Sequence, residues 1–346
     1  MKLKYILLFL LCVSCNISSH NSISKDDLID KFEGFWLGQS IANWTGIVTE
    51  MDKIGEDDSP FYTREDWGKL DQPNIWSETT QWGEINFKYA LKDSVWGSDD
   101  DTDIEYMYQE LILEHDNIIL TPNQIRNGWL KHIKHDEENF LWVSNQKAFD
   151  LMKSGILPPE TSSPNLNPFF EMIDAQLTTE IFGLFSPSYP EYALKISNLP
   201  IRTVARKDAA WISEFYVIMH SLAYSTNFND NNKNKIMWMA ENSRKILPED
   251  SYASKMYDFV KRKYQNNIPW EEVRDSLNQR YQVDNMDGYE YVDIKYDTYK
   301  WRRKNNNPKA AMEKVCVGYK ICRFAQFPEG SRAVMPSILE ELLAAR

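Results

Sequence analysis

Apolar residues at Leu28, Ile29, Phe32, Trp36, Leu37 and Ile41 recur at intervals of three and four. Residues so spaced share one helix face, so the pattern predicts an amphipathic helix. Ser24 with Asp27 opens it as a near capping box. Gly34 and Gly38 sit inside it, where each costs about 1 kcal/mol against Ala; close helix contact or ligand approach is the expected reason. Ile104, Met107, Tyr108, Leu111 and Ile112 form a second stripe. Thr121-Pro122-Asn123-Gln124 supplies a cap, a first-turn proline and the box partner, so a helix is expected through Trp129 and Ile133. Asn145 to Ser154 reads as a helix stopped by Gly155 and Pro158-Pro159. Further helical patterns cover 170–183, 208–226, 235–246, 251–265 and 269–281. No alternation announces a strand, and residues 55–95 are loop-rich and aromatic. The expected fold class is all-α, a multi-helix bundle with an irregular tail.

Composition narrows this picture. Of 346 residues 42% are hydrophobic, enough for a core, and 13 Gly with 15 Pro are too few for a turn-dense all-β chain. A net charge of −12 argues against a general nucleic-acid binder. That average conceals a break. Lys295 to Arg346 holds 11 Lys+Arg against 5 Asp+Glu, a surplus of +6, which leaves −18 on the rest of the chain. No Gly-x-Ser-x-Gly elbow, phosphate-binding Gly-Lys loop or dinucleotide glycine motif is present, which disfavours a serine hydrolase, an NTPase or a dehydrogenase.

The amino terminus reads as an address. Lys2 and Lys4 precede an apolar run from Tyr5 to Val13, too short to span a bilayer and suited to a signal peptide. Ser14-Cys15 follows and resembles a bacterial lipoprotein processing site, with lipid on Cys15, although Cys12 stands where Leu is usual. An ordinary cleaved signal is the alternative. A lipid on Cys15 would make the protein exported and membrane-anchored without spanning. The expected division is a signal over 1–15, a tether over 16–24, an all-α domain over 25–294 and the basic tail over 295–346. Cys316 and Cys322, both in the tail, form a disulfide or stay as free thiols.

Candidate chemistry concentrates at Asp99-Asp100-Asp101-Thr102-Asp103, directly before the second stripe. Four carboxylates in five residues repel unless cations neutralise them, and hard divalent cations take such oxygen ligands. A solvated acidic helix start, steadied by free N–H groups and the helix dipole, is the plain alternative. A calcium loop through Asp99, Asp101, Asp103 and Glu110 is a rival, with Ile104 where that motif needs Gly. His132 and His135 read as a solvated face and His220 as core. Asp174 and Glu180 read as structural hydrogen-bonding groups, either able to line a cleft. Most Trp residues, Trp129 among them, fall on apolar helix faces. Trp96, beside the aspartates, is the candidate for stacking on a base.

Taken in order, Gly34-Phe35-Trp36-Leu37-Gly38-Gln39 with Gly46 and Glu50, then Asp99-Asp100-Asp101-Thr102, Gly155-Ile156-Leu157-Pro158-Pro159, Ile173-Asp174-Ala175-Gln176-Leu177-Thr178-Thr179-Glu180 and Phe215 to Ala223 resemble the landmarks of the ADP-ribosylglycohydrolase family, relatives of dinitrogenase-reductase-activating glycohydrolase. The likeness covers roughly residues 28–290. It implies an all-α bundle with a two-magnesium site. It also implies metal-assisted hydrolysis at the anomeric carbon of ADP-ribose or a related glycoside. Carried over by position, Asp100 and Asp101 match the paired metal-binding aspartates. Asp99 stands where a metal-binding Thr or Ser is usual, and Thr102 matches the closing threonine that steadies the ligands. Glu50 matches the early glutamate near the ribose, the candidate catalytic residue. Gln39 replaces a common Asp.

The family's second metal motif, Gly-x-Asp-x-Asp followed by Thr, Ser or Asn, is not found near the carboxyl end. Asp297-Thr298, with Asp293 four residues before, is the nearest fragment. The likeness stops near Tyr299, at the charge break, so the tail is expected to be a frameshifted or replaced carboxyl terminus. Hydrolysis would be impaired in this chain as it stands. A non-catalytic relative that binds ADP-ribose or a nucleoside, and a helical glycan-binding lipoprotein, are the alternatives. Expected partners are an ADP-ribosylated or related glycosidic substrate and Mg2+, with no nucleic acid and with the membrane reached by the lipid alone.

Overall fold

Thr121 opens its helix as a capping box. Its Oγ1 accepts from the Gln124 N–H at 3.3 Å, Gln124 Oε1 accepts from the Thr121 N–H at 2.8 Å, and Pro122 fills the first turn. Thr121→Ala is expected to cost about 1 kcal/mol, read by urea unfolding of the full chain. In the computed structural model, residues 24–46, 68, 100–134, 141, 143–225 and 232–283 are described. Among them the protein is all-α, with no strand. The helices are α1 (Lys25–Gly46), α2 (Asp100–His115), α3 (Pro122–His132), α4 (Val143–Lys153), α5 (Asp174–Leu177), α6 (Ile181–Leu184), α7 (Pro190–Val204), α8 (Lys207–Leu222), α9 (Asn232–Arg244), α10 (Tyr252–Gln265) and α11 (Trp270–Asn278).

α8 lies at the centre. Ala209, Ala210, Ser213, Phe215, Tyr216, Val217, Ile218, Met219, Ser221 and Leu222 are all buried, and a helix apolar around most of its circumference needs neighbours on several sides. It packs against α5, α6 and α7 and also against α9 and α10. Most of the second stripe is buried as its spacing predicts: Ile104, Met107, Tyr108 and Leu111 are each at most 5% exposed, and Ile112 is half-buried against the core. The near capping box also forms, with Ser24 Oγ accepting from the Asp27 N–H at 3.1 Å and donating to Asp27 Oδ2 at 2.7 Å.

Three expectations are corrected. The single helix over 170–183 is two short pieces, α5 and α6. Thr178 Oγ1 donates to the Asp174 carbonyl at 2.9 Å and Thr179 Oγ1 to the Ala175 carbonyl at 2.6 Å. Those hydroxyls compete for carbonyls that would carry the helix onward. α7 was not expected at all. Pro190 begins it and Pro200 lies inside it, where the missing N–H and the ring disfavour helix. Its buried Ala193, Ile196, Ile201 and Val204, set against α8, hold it helical regardless.

The third correction concerns α1. Phe32, Phe35 and Trp36 pack on the core, whereas Ile29, Leu37 and Ile41 are exposed. Nothing described lies within 4 Å of a Cβ placed on Gly34 or Gly38, so among the described residues close packing does not explain these glycines.

Candidate functional site

α2 starts at Asp100, so the Asp-Asp-Thr run occupies its first turn. Unbonded N–H groups and the positive end of the dipole favour carboxylates there. Asp101 and Thr102 are half-buried and Asp103 is exposed. The helix then continues unbroken to His115, with Ile104 2% exposed on its inner face. That overturns the calcium loop, since Asp101, Asp103 and Glu110 on a helix cannot wrap a cation as an open loop does.

Glu50, Trp96, Asp99 and Cys15 lie outside the described residues. So do His20, His135, Cys316, Cys322 and the whole tail. Asp100 is described in its backbone. Among the described residues, no group of three His, Cys, Asp or Glu side chains comes together to hold a metal ion. His132 Nε2 lies 3.3 Å from Glu114, which Lys131 also contacts. The Lys131 hydrogen bond and the nearby charges hold the Glu114 carboxyl below its usual range, as on a solvated ionic face.

One turn inward from the aspartates, on the face of Asp101, stands Glu105. It is 0% exposed, a burial that a carboxyl group tolerates only with partners for its oxygens. Its Oε1 accepts from the Ile181 N–H at the start of α6, 2.9 Å away. Its Oε2 accepts a short hydrogen bond from Gln39 Nε2 of α1. Glu180, immediately before α6, lies beside Glu105. Burial first, and the Glu105 charge second, push the Glu180 carboxyl well above the usual carboxylate range. Four elements of the expected site region, α1, α2, the α5–α6 link and α6, thus meet on one buried carboxyl pair. The pairing was missed from sequence. A lone acid between Ile104 and Tyr108 in an apolar stripe was its one signal.

His220 on α8 also borders this region. Its ring meets Phe35 edge-on at 5.4 Å, and burial lowers its pKa to about 4. It is therefore neutral at pH 7, in keeping with a core role.

Asp174, 1% exposed, turns Oδ1 to the Asn145 N–H at 3.2 Å, near the start of α4, a structural role of the kind expected. Burial pushes its pKa up to about 6. The folded state then holds this proton more tightly than the unfolded chain. Its stabilising contribution is complete below about pH 4 and is lost as pH rises through about 6, an effect of about 3 kcal/mol. Asp174→Asn should remove that slope. Urea unfolding of both proteins from pH 4 to 7 checks this, and a constant difference between them would contradict it.

Across α2 from Glu105, a cleft of about 220 Å³ is lined by Asp103, Tyr106, Glu110 and His132 with Ile104, Met107, Ile133 and Leu141. The acid pair and this cleft occupy opposite sides of one helix.

No family model matches the chain, and no solved structure matches it. Among curated proteins, one described as DNA polymerase from Phaeocystis pouchetii virus is 50% identical over 104 residues, which is 30% of this chain and 9% of that protein. The chain spans less than a tenth of that relative in the matched stretch.

Proposed function

We propose that the helical body is an ADP-ribosylglycohydrolase-type protein, exported and lipid-anchored through Cys15, built for metal-assisted hydrolysis at the anomeric carbon of ADP-ribose or a related glycoside. The observation that carries this reading is the position of Asp100-Asp101-Thr102 in the first turn of α2, the place the resemblance requires. The oxygen donors there suit a hard cation such as Mg2+. Asp100 and Asp101, with Asp99, would hold it, and Thr102 would steady them. A bound divalent ion supplies Lewis acidity and orients ribose hydroxyls. Glu50 is the carboxylate assigned beside the ribose, where negative charge stabilises a cationic, sugar-like transition state. Trp96 would stack on the base. With the second metal motif missing, turnover is expected to be weak.

Magnesium-dependent release of ADP-ribose from an ADP-ribosylated protein tests the reading. Asp100→Ala and Asp101→Ala should each abolish magnesium binding; unchanged affinity in both variants would refute the site.

The likeness to a viral DNA polymerase favours a second reading, in which part of the chain contacts DNA. The surplus of +6 between Lys295 and Arg346 has the sign that phosphates attract, and the acidic remainder has the opposite sign. Fluorescence anisotropy with a labelled duplex should then show binding that weakens steeply with salt. No binding at low salt would remove this reading.

A further inference from the structure

We propose that the cleft beside α2 binds a small organic cation, a primary ammonium carried on an apolar body. The inference stands independently of the catalytic reading, because it uses none of the residues assigned to the metal, the ribose or the base.

The cleft has an apolar floor and a polar rim. Ile104 and Met107 of α2, Ile133 just after α3 and Leu141 form the floor, each at most 9% exposed. Tyr106 and Glu110 stand on the rim. They lie four positions apart on α2, one helical turn, so their side chains are neighbours. Tyr106 is 54% exposed, and Trp36 of α1 braces its ring edge-on, with centroids 6.1 Å apart. Glu110 is half-buried.

The charges select the guest. Lys131 and His132 of α3 both contact Glu114. Among the described residues the Glu110 carboxylate makes no ion pair. A carboxylate half-withdrawn from water beside an apolar floor has lost part of its solvation, and a cation that reaches it restores that loss through a charge-assisted hydrogen bond. An ammonium beside Glu110 is also within reach of Tyr106, whose ring face attracts cations. Its apolar body then covers the floor and leaves water. An anion meets the Glu110 charge and is repelled, and a neutral ligand gains the floor alone. A bare metal ion fits poorly, since the floor offers no oxygen ligands and no group of three His, Cys, Asp or Glu converges among the described residues. The volume of about 220 Å³ lies below the range of drug-sized pockets, so the guest is small.

Titration calorimetry of the full chain at fixed ionic strength and pH 7 tests this with 2-phenylethylammonium against 2-phenylethanol, its neutral isostere. The ammonium should bind saturably in the millimolar range or below, about tenfold tighter than the alcohol. Glu110→Gln should weaken the ammonium about tenfold and leave the alcohol unchanged. Tyr106→Leu keeps apolar area and removes the ring, and should weaken the ammonium about threefold. An alcohol that binds as tightly as the ammonium would overturn the proposal without recourse to any variant. So would the absence of saturable binding in the millimolar range, or an ammonium affinity unchanged in Glu110→Gln. A blocked lysine that binds about tenfold tighter than the free amine would also overturn it, in favour of a lysine side chain of a protein partner.

Discussion

Gly183→Ala is expected to lower stability by about 3 kcal/mol, at the upper end of overpacking penalties, and the unfolding midpoint by on the order of 10 °C. Gly183 lies in α6, where that helix crosses α8. A Cβ there would stand 2.3 Å from the Val217 carbonyl oxygen, 2.7 Å from His220 Cβ and 3.0 Å from the Ser221 nitrogen. Two of those atoms are backbone of the central helix, so no rotamer change can relieve the clash and one helix must move. The move would carry Ile181, whose N–H is bonded to Glu105, and so would disturb the acid pair as well. Gly155→Ala is the comparison. Its φ of +94° strains any L residue but its surroundings are open, so a loss of about 1–2 kcal/mol is expected from conformation alone. Thermal unfolding of both variants checks the order. An alanine at 183 that unfolds with the native chain would mean that α6 and α8 do not approach as described.

What was legible in the sequence divides along physical lines. Local rules read well where the needed partner lies within a turn or two. Thr121 and Gln124 cap α3, Ser24 and Asp27 cap α1, and the Ile104 to Leu111 stripe is buried. Non-local effects were invisible. α7 survives Pro200 because α8 lies against it, and no spacing within 190–204 carries that information. The stripe on α1 half failed for the same reason: periodicity shows which residues share a face, and not how much surface the bundle offers to cover it. At the site, the helix start at Asp100 was legible, being set by a cap-like acidic run before an apolar stripe. The Glu105–Glu180 pair was not. Its members are 75 positions apart in the sequence, and a carboxyl in an apolar stripe signals an anomaly without naming its partner.

Trp129→Ala is the second large effect, an expected loss of about 4 kcal/mol, typical of an aromatic truncated in a core. Trp129 is 1% exposed on α3, and its Nε1 donates to Tyr108 Oη of α2 at 3.3 Å. Tyr108 in turn meets Phe182 of α6 edge-on at 5.3 Å. Truncation opens a cavity against α2 and strips the phenol of its donor at once. Trp129→Phe separates the two, since it keeps most of the volume and loses the indole N–H, for about 1 kcal/mol. The contrast reaches the candidate site because α2 is the helix whose first turn carries Asp100 and Asp101. If packing through Trp129 and Tyr108 fixes the lie of α2, magnesium affinity should fall in Trp129→Ala under conditions where that variant remains folded and should persist in Trp129→Phe. Equal affinity in the two variants, with the stability difference intact, would show that the aspartate turn keeps its arrangement without support from the core beneath it.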